Sequence, residues 1–292
     1  MRLEDFDYGV VDIRDYLRHR TLRNKDWIKS IIVFVFPYAN DAPKAEGYLT
    51  AKYAYGRDYH IVIKNKLEEI AETLGFEKYE AMTDISYLDE KLCAVLAGLG
   101  RIGKNNLLLT PKYGSRVLIG EIVTSVVFPK TESELPNPCI DCFLCVKNCP
   151  TDALRNGFNK KKCLSYLSQK TSADYELYDK MELAVGCDVC QDVCPLNRKE
   201  YDYPEEFRFD PKSRFVLQDF LEIGEKNFRE HYQDKAFAFL GYRKILRNLL
   251  VLEANKGKLR PGELEKYAGL YEDAWFKKHM GHLKGRLAGG KD

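Results

Sequence analysis

The sequence predicts an α+β or α/β protein of three successive regions, and three observations carry that prediction. A continuous apolar run at 31–36 ends in Pro37, eight of the nine cysteines fall between Cys139 and Cys194, and a stretch with helical spacing follows at 235–255. A chain of 292 residues buries roughly three quarters of its unfolded surface, so the cysteines are not needed as staples.

The first region, 1–130, alternates strand-like and helix-like segments. IIVFVF at 31–36 reads as a buried strand. HIVIKNKLEEIAETLG at 60–75 has apolar residues at helical intervals, with Gly75 as a natural C-cap. VLIGEIVTSVVF at 117–128 is rich in β-branched residues and reads as a second strand. The second region, 131–205, opens on the proline-bearing connector TESELPNP and is dominated by cysteine. The third, 206–292, is helical, with KAFAFLGYRKILRNLLVLEAN at 235–255 as its main element.

Acids occupy the first residues, where a signal peptide has a basic and then an apolar stretch. The run at 31–36 is too short to cross a bilayer. The expectation is a cytoplasmic protein with no membrane association and reduced thiols. The net charge of +2 hides an uneven distribution. Residues 243–292 carry 12 Lys and Arg against 6 Asp and Glu, an excess that suits a phosphate backbone or a solvated basic tail.

Cys139, Cys142, Cys145 and Cys149, followed by Pro150, give the spacing C-x2-C-x2-C-x3-C-P. In the bacterial ferredoxin run of this form, three thiolates hold one [4Fe–4S] cluster and the fourth serves a second. Cys187, Cys190 and Cys194 with Pro195 repeat the end of that run, and Cys163 supplies the missing member. Reciprocity then assigns Cys139, Cys142, Cys145 and Cys194 to one cluster, and Cys149, Cys163, Cys187 and Cys190 to the other. Two zinc sites are the competing reading, since C-x2-C pairs are their usual unit. They do not require four cysteines within eleven residues. Cys93 reads as a small core residue.

Gly98, Gly100 and Gly103 match G-x-G-x-x-G, with Glu121 about where a ribose-binding acid would stand. A dinucleotide site needs a strand before the motif and a helix after it. Here the order is reversed, so an NAD site is rejected. The glycines with Lys104 and Asn105 remain a candidate loop for close approach to a large cofactor.

Several motifs together resemble the epoxyqueuosine reductase family. They are YAYGRDYH at 53–60, DISYLDEK at 84–91, AGLGRIGKNNLLLTPKYGS, CIDCFLCVKNCPTDAL, KKCLSYLSQ, GCDVCQDVCPLNR and RKILRNLLVLEAN, in order over about 18–255. The resemblance implies a nitroreductase-like, cobalamin-binding domain at 1–130, a two-cluster ferredoxin-like domain at 131–205, and a short helical C-terminal region that touches tRNA. It implies two [4Fe–4S] clusters and cobalamin as cofactors, and reduction of epoxyqueuosine to queuosine in tRNA as the reaction. Asp84 matches the aspartate that protonates the departing oxygen, which calls for a carboxyl of raised pKa. Arg18, Ser165 and Asp188 match positions near the corrin, and Lys104 and Asn105 join them as cofactor contacts. The partners implied are tRNA carrying epoxyqueuosine and a reducing donor such as a flavodoxin or ferredoxin, acting on a monomer. Tyr87 and Arg101 stand where the family often has proline and tryptophan, and the C-terminal region is short. Alternatives are an electron-transfer protein serving a corrinoid protein and a corrinoid reductase with a small-molecule substrate. On the residues alone, Asp84 is also a helix N-cap candidate and His60 a packed or capping residue. Arg243, Lys244 and Arg247 are candidates for tRNA phosphate contacts or for a solvated face.

Overall fold

The computed structural model describes residues 3–132 and 135–289. Its packing divides the chain differently from the three consecutive regions drawn above. One compact unit comprises Met1–Asn40, Gly56–Cys145 and Gln191–Arg208; the other comprises Asp41–Tyr55, Val146–Cys190 and Phe209–Asp292.

The first unit is built on a four-stranded sheet of β1 (Asp7–Asp12), β2 (Ser30–Pro37), β3 (Tyr79–Met82) and β4 (Val117–Thr124), in the order β1-β2-β4-β3. Every pairing is antiparallel, so of the two classes expected the unit is α+β. The apolar run at 31–36 is the core of β2, which is buried along its length because helices cover both faces. Alternation sends Ile31, Val33 and Val35 to the face shared with Cys93 and Ala94 of α2 (Glu90–Leu96) and with its C-cap Ala97. The opposite face meets α1 (Tyr59–Thr73), where Ile63 and Leu67 pack over Gly120. Asp58 caps α1, and Gly75 lies just past its end at φ 69°. The strand expected over 117–128 ends at Thr124, where the chain turns toward the connector. Cys93 is wholly buried, as a core residue should be.

The second unit is mainly helical. Its short helix α3 (Leu164–Leu167) starts directly after Cys163. Helix α4 (Leu217–His231) is bent at Gly224, and α5 (Tyr242–Asn255) forms the centre of the unit. The helix expected over 235–255 begins only at Tyr242. A 3-10 turn at Ala238–Leu240 precedes it, and Gly241 at φ 75° separates the two. Phe215, Phe220, Phe228, Tyr232 and Tyr242 pack edge-on and stacked around the start of α5. Two further helices, α6 (Pro261–Ala268) and α7 (Ala274–Gly289), pack against each other at the end of the chain.

Arg247 corrects the expectation of a phosphate contact. It is fully buried in α5, where its guanidinium donates to the carbonyls of Ser168 and Lys170 and to His279. Arg243 is held by Glu225 and Asp273. Among the described residues, no helix is long and apolar enough to cross a membrane.

Candidate active site and cluster-binding cysteines

Asp84 lies in the loop between β3 and α2 at φ 55°, a left-handed conformation that costs a non-glycine residue energy. It is not a helix N-cap; Asp89 caps α2. Its Oδ2 accepts a hydrogen bond from the Tyr59 hydroxyl (3.1 Å) and faces His60 Nε2 (3.1 Å). The other ring nitrogen of His60 meets Asp58 Oδ1 at 2.7 Å. Because Asp58 caps α1, the first turn of that helix fixes the line Asp58–His60–Asp84.

An imidazole between two carboxylates is an imidazolium. Burial alone would lower the His60 pKa, but the hydrogen bonds to Asp58 and Asp84 outweigh it and raise it to about 9. The His60 hydrogen bond holds the Asp84 carboxyl below its ordinary range, against the effect of burial. This corrects the expectation of a raised Asp84 pKa: in the resting site the proton sits on His60. Glu90 lies nearby, and burial first, with the Asp84 charge second, pushes it up to about 7.

Tyr59, Asp84 and Glu90 line one cavity of about 110 Å³ within the first unit. Asp84, Glu90 and Lys91 are its charged members, and Leu107, Leu108, Val117 and Ile119 are among its apolar walls. The Asp84 side chain is 57% exposed, so a substrate can reach it. Ile85 beside it is 84% exposed, an uncovered apolar side chain at the same edge. His60 and Glu90 were not singled out as chemical groups in the sequence, although both lie inside motifs that carry the resemblance. Their signal is the spacing Asp58-x-His60, which places an acid and an imidazole on one helix start.

Four of the eight clustered cysteines fall in each unit. In the first unit, Cys139, Cys142, Cys145 and Cys194 line a single cavity with Ile140, Phe143 and Leu196. Lys104 and Asn105 line this cavity as well. The Lys104 ammonium lies 3.5 Å from Asp141, and Asn105 Oδ1 accepts from the Leu107 amide. The adjacent glycines serve the chain's own packing. A Cβ on Gly100 would stand 2.4 Å from the Leu109 carbonyl oxygen. In the second unit are Cys149, Cys163, Cys187 and Cys190. Burial pushes Cys187 up to about 12, and Cys163 and Cys149 are near enough to push it the same way. None of the nine cysteines forms a disulfide.

Of the other expected cofactor contacts, Asp188 and Ser165 lie in the second unit and Arg18 in the first. Asp188 is buried and accepts the Lys52 amide at 2.8 Å. Ser165 is half-buried in α3. Arg18 pairs with Asp15 at 2.9 Å, beside a cavity that Asp84 does not line. Glu121 is wholly buried in β4, with Ser86 donating to its Oε2 at 2.8 Å, and burial pushes it up to about 7.

Residues 138–197 match the family model of a 4Fe-4S double cluster binding domain, and the chain is therefore a two-cluster iron–sulfur protein of mixed α and β structure. Residues 18–87 match the model described as epoxyqueuosine reductase QueG, DUF1730. The epoxyqueuosine reductase of Listeria monocytogenes is 37% identical over 215 residues, covering 70% of this chain and 56% of that protein. That of Cellulophaga algicola is 34% identical over 237 residues, covering 77% of each. The chain belongs to the epoxyqueuosine reductase family, although it spans only about half the length of the Listeria relative. The solved epoxyqueuosine reductase of Streptococcus thermophilus superposes with a TM-score of 0.83 at 26% identity, covering 98% of this chain and 87% of that one. An epoxyqueuosine reductase solved with an epoxyqueuosine-modified tRNA stem loop shares the fold at a TM-score of 0.80 and 24% identity, covering 97% and 95% of the two chains.

Proposed function

We propose that the protein reduces epoxyqueuosine in tRNA to queuosine, with Asp84 delivering the proton to the departing epoxide oxygen. The observation that carries this reading is the Tyr59–His60–Asp84 constellation, of which Tyr59 and Asp84 line a partly apolar cavity. The reaction takes two electrons and two protons and leaves an alkene and water.

Cys139, Cys142, Cys145 and Cys194 hold one cluster, and Cys149, Cys163, Cys187 and Cys190 hold the other. The first set fits such a group, with four thiols around a cavity whose remaining walls are largely apolar. The first unit is read as the nitroreductase-like domain that receives cobalamin. Its apolar cavity walls and exposed Ile85 suit contact with a corrin face. When bound, cobalamin would supply a strongly reducing centre for C–O cleavage, and the clusters would serve as one-electron carriers. The chain's own residues handle the proton. The imidazolium of His60 holds it against Asp84, and Asp84, the more exposed partner, passes it to the oxygen that develops negative charge. Glu90, on the same cavity, is placed to replace it. Electrons come from a donor such as a flavodoxin or ferredoxin, the tRNA is the macromolecular substrate, and the chain acts as a monomer in the cytoplasm.

The test is nucleoside mass spectrometry on tRNA carrying epoxyqueuosine, incubated without oxygen with reconstituted protein and a strong reductant, with and without cobalamin. Cobalamin-dependent queuosine is the expected result. No conversion with both clusters intact would overturn the reading in favour of electron transfer or another corrinoid-linked substrate.

A further inference from the structure

Glu121 breaks the apolar pattern of β4. Alternation puts it between Ile119 and Val123, on the face that β2 and α2 cover with Val33, Ala94 and Cys93. It is wholly buried there, and among the described residues no lysine, arginine or histidine lies within ion-pair distance of it. The polar and titratable groups that face it are Ser86 and Tyr87 from the loop after β3, Asp89, Glu90 and Cys93 from α2 and its cap, and Tyr16. Its Oε1 is buried without a hydrogen-bond partner. A leucine would fill the same place with no carboxyl to desolvate, so packing does not explain the residue.

What the carboxyl does is reach the loop that carries Asp84. Ser86 Oγ donates to Glu121 Oε2 at 2.8 Å and accepts the Leu88 amide at 3.0 Å. Three residues earlier, Thr83 Oγ1 donates to the carbonyl of Ile119 at 2.7 Å. Strand β4 therefore grips the loop at Thr83 and at Ser86, on either side of the left-handed Asp84. The two grips differ in kind. Any residue at 119 supplies a carbonyl, but only the side chain at 121 supplies an acceptor for Ser86. The other acceptor near that hydroxyl is the Met82 sulfur at 3.6 Å, a weak one. A left-handed aspartate persists only where its surroundings over-determine it. We propose that Glu121 is the positioning residue for Asp84: through Ser86 it holds the loop in the conformation that sets Asp84 against Tyr59 and His60. The proposal rests on the reading of Asp84 as the proton donor. Neutral or ionised, the carboxyl accepts the Ser86 hydroxyl, so the tether needs an oxygen at this place and not a charge.

The test uses reconstituted holoprotein carrying Glu121→Leu, Glu121→Gln, Ser86→Ala, or Glu121→Leu and Ser86→Ala together. The first readout needs no substrate: it is the titration of His60 by NMR of protein with isotope-labelled histidine, assigned through His60→Gln. The wild-type midpoint, raised to about 9 by Asp58 and Asp84, should move down in Glu121→Leu and in Ser86→Ala and stay in place in Glu121→Gln. The second readout is turnover of tRNA carrying epoxyqueuosine. Here kcat should fall at least about tenfold in Glu121→Leu and in Ser86→Ala, with KM within about twofold of wild type. It should stay within about threefold in Glu121→Gln, and the double variant should fall no further than the worse single one. An unmoved His60 midpoint in Glu121→Leu and Ser86→Ala would overturn the proposal, and so would single losses that multiply in the double variant. Equal losses in Glu121→Gln and Glu121→Leu would also overturn it, because charge and not the tether would then be at work. Should Glu121→Leu not fold, Ser86→Ala and Glu121→Gln carry the same contrast. A midpoint that moves while turnover stays would uphold the tether and end the reading of Asp84 as the acid.

Discussion

His60 sits between two carboxylates, and the consequences for pH can be worked out in sign. Its pKa in the fold is about 9, above the ordinary 6.5, so the stabilisation from its charge is whole below pH 6.5 and lost as pH rises through about 9. The depressed Asp84 carboxyl adds an acid limb, because the pair weakens as pH falls through that lowered pKa. Turnover measured against pH should therefore fall as pH climbs through about 9. In His60→Gln the falling limb should move well below neutrality, because Asp84 alone must then carry the proton. An unmoved limb would remove His60 from proton delivery. Asp84→Asn should keep both clusters, by iron content and absorbance, and lose about 10²–10⁴ of the turnover rate. Normal turnover would end the case for Asp84. The sequence showed the aspartate through its motif, but the protonation state depends on three side chains that meet only when α1 and the β3–α2 loop are packed.

Elements hold the cysteines where local sequence alone does not. Asn197, just after Cys194, accepts the Ser115 amide at 2.8 Å and donates to Ser115 Oγ and to the Gln191 carbonyl. Gly114 makes this possible, since a Cβ there would stand 2.1 Å from Asn197 Oδ1 and the residue has φ 62°. Gly114→Ala should lower iron content by about half, through loss of the cluster in the first unit, and cost about 1–3 kcal/mol of stability in denaturant unfolding. Retention of full iron would refute that coupling. The ligand spacing itself was legible because it is local chemistry. The strand at 31–36 was legible because burial on both faces writes a continuous apolar run. The antiparallel order was not, because β1 (DYGVVD) carries only a short apolar centre and its partner is set by long-range pairing.

On the scale of the molecule, counting charge along the chain misled where burial decided the role. Arg247 contributed to the basic excess of the C-terminal region, yet it lies inside the second unit and ties α5 to the carbonyls of Ser168 and Lys170. Asn248 beside it ties α5 to the carbonyls of Ser168 and Ala184. Arg247→Leu should cost several kcal/mol, on the order of 3–5, in denaturant unfolding, since buried acceptors lose their donors. The slope of tRNA affinity against salt should stay unchanged, whereas a phosphate-binding arginine would remove about one unit of it. A fall in that slope would return Arg247 to the surface role. The division into units was equally hidden, because each unit is assembled from three separated segments.

That interleaving governs how the protein can be made. The unit boundaries fall after Cys145 and after Cys190, inside the two cysteine runs. On the ribosome, the first three thiols of the first unit emerge well before Cys194, their fourth partner in the proposed assignment. The complete second set emerges before α5, whose Asn248 bonds the carbonyls of Ser168 and Ala184 between Cys163 and Cys187. Nascent chain therefore exposes incomplete thiol sets to oxidant and to adventitious metal for as long as it takes to finish the polypeptide. The cysteine-rich segment 131–205, expressed alone, should emerge with little bound iron despite holding all eight ligands. Full iron loading of that fragment would show that cluster insertion can precede the fold.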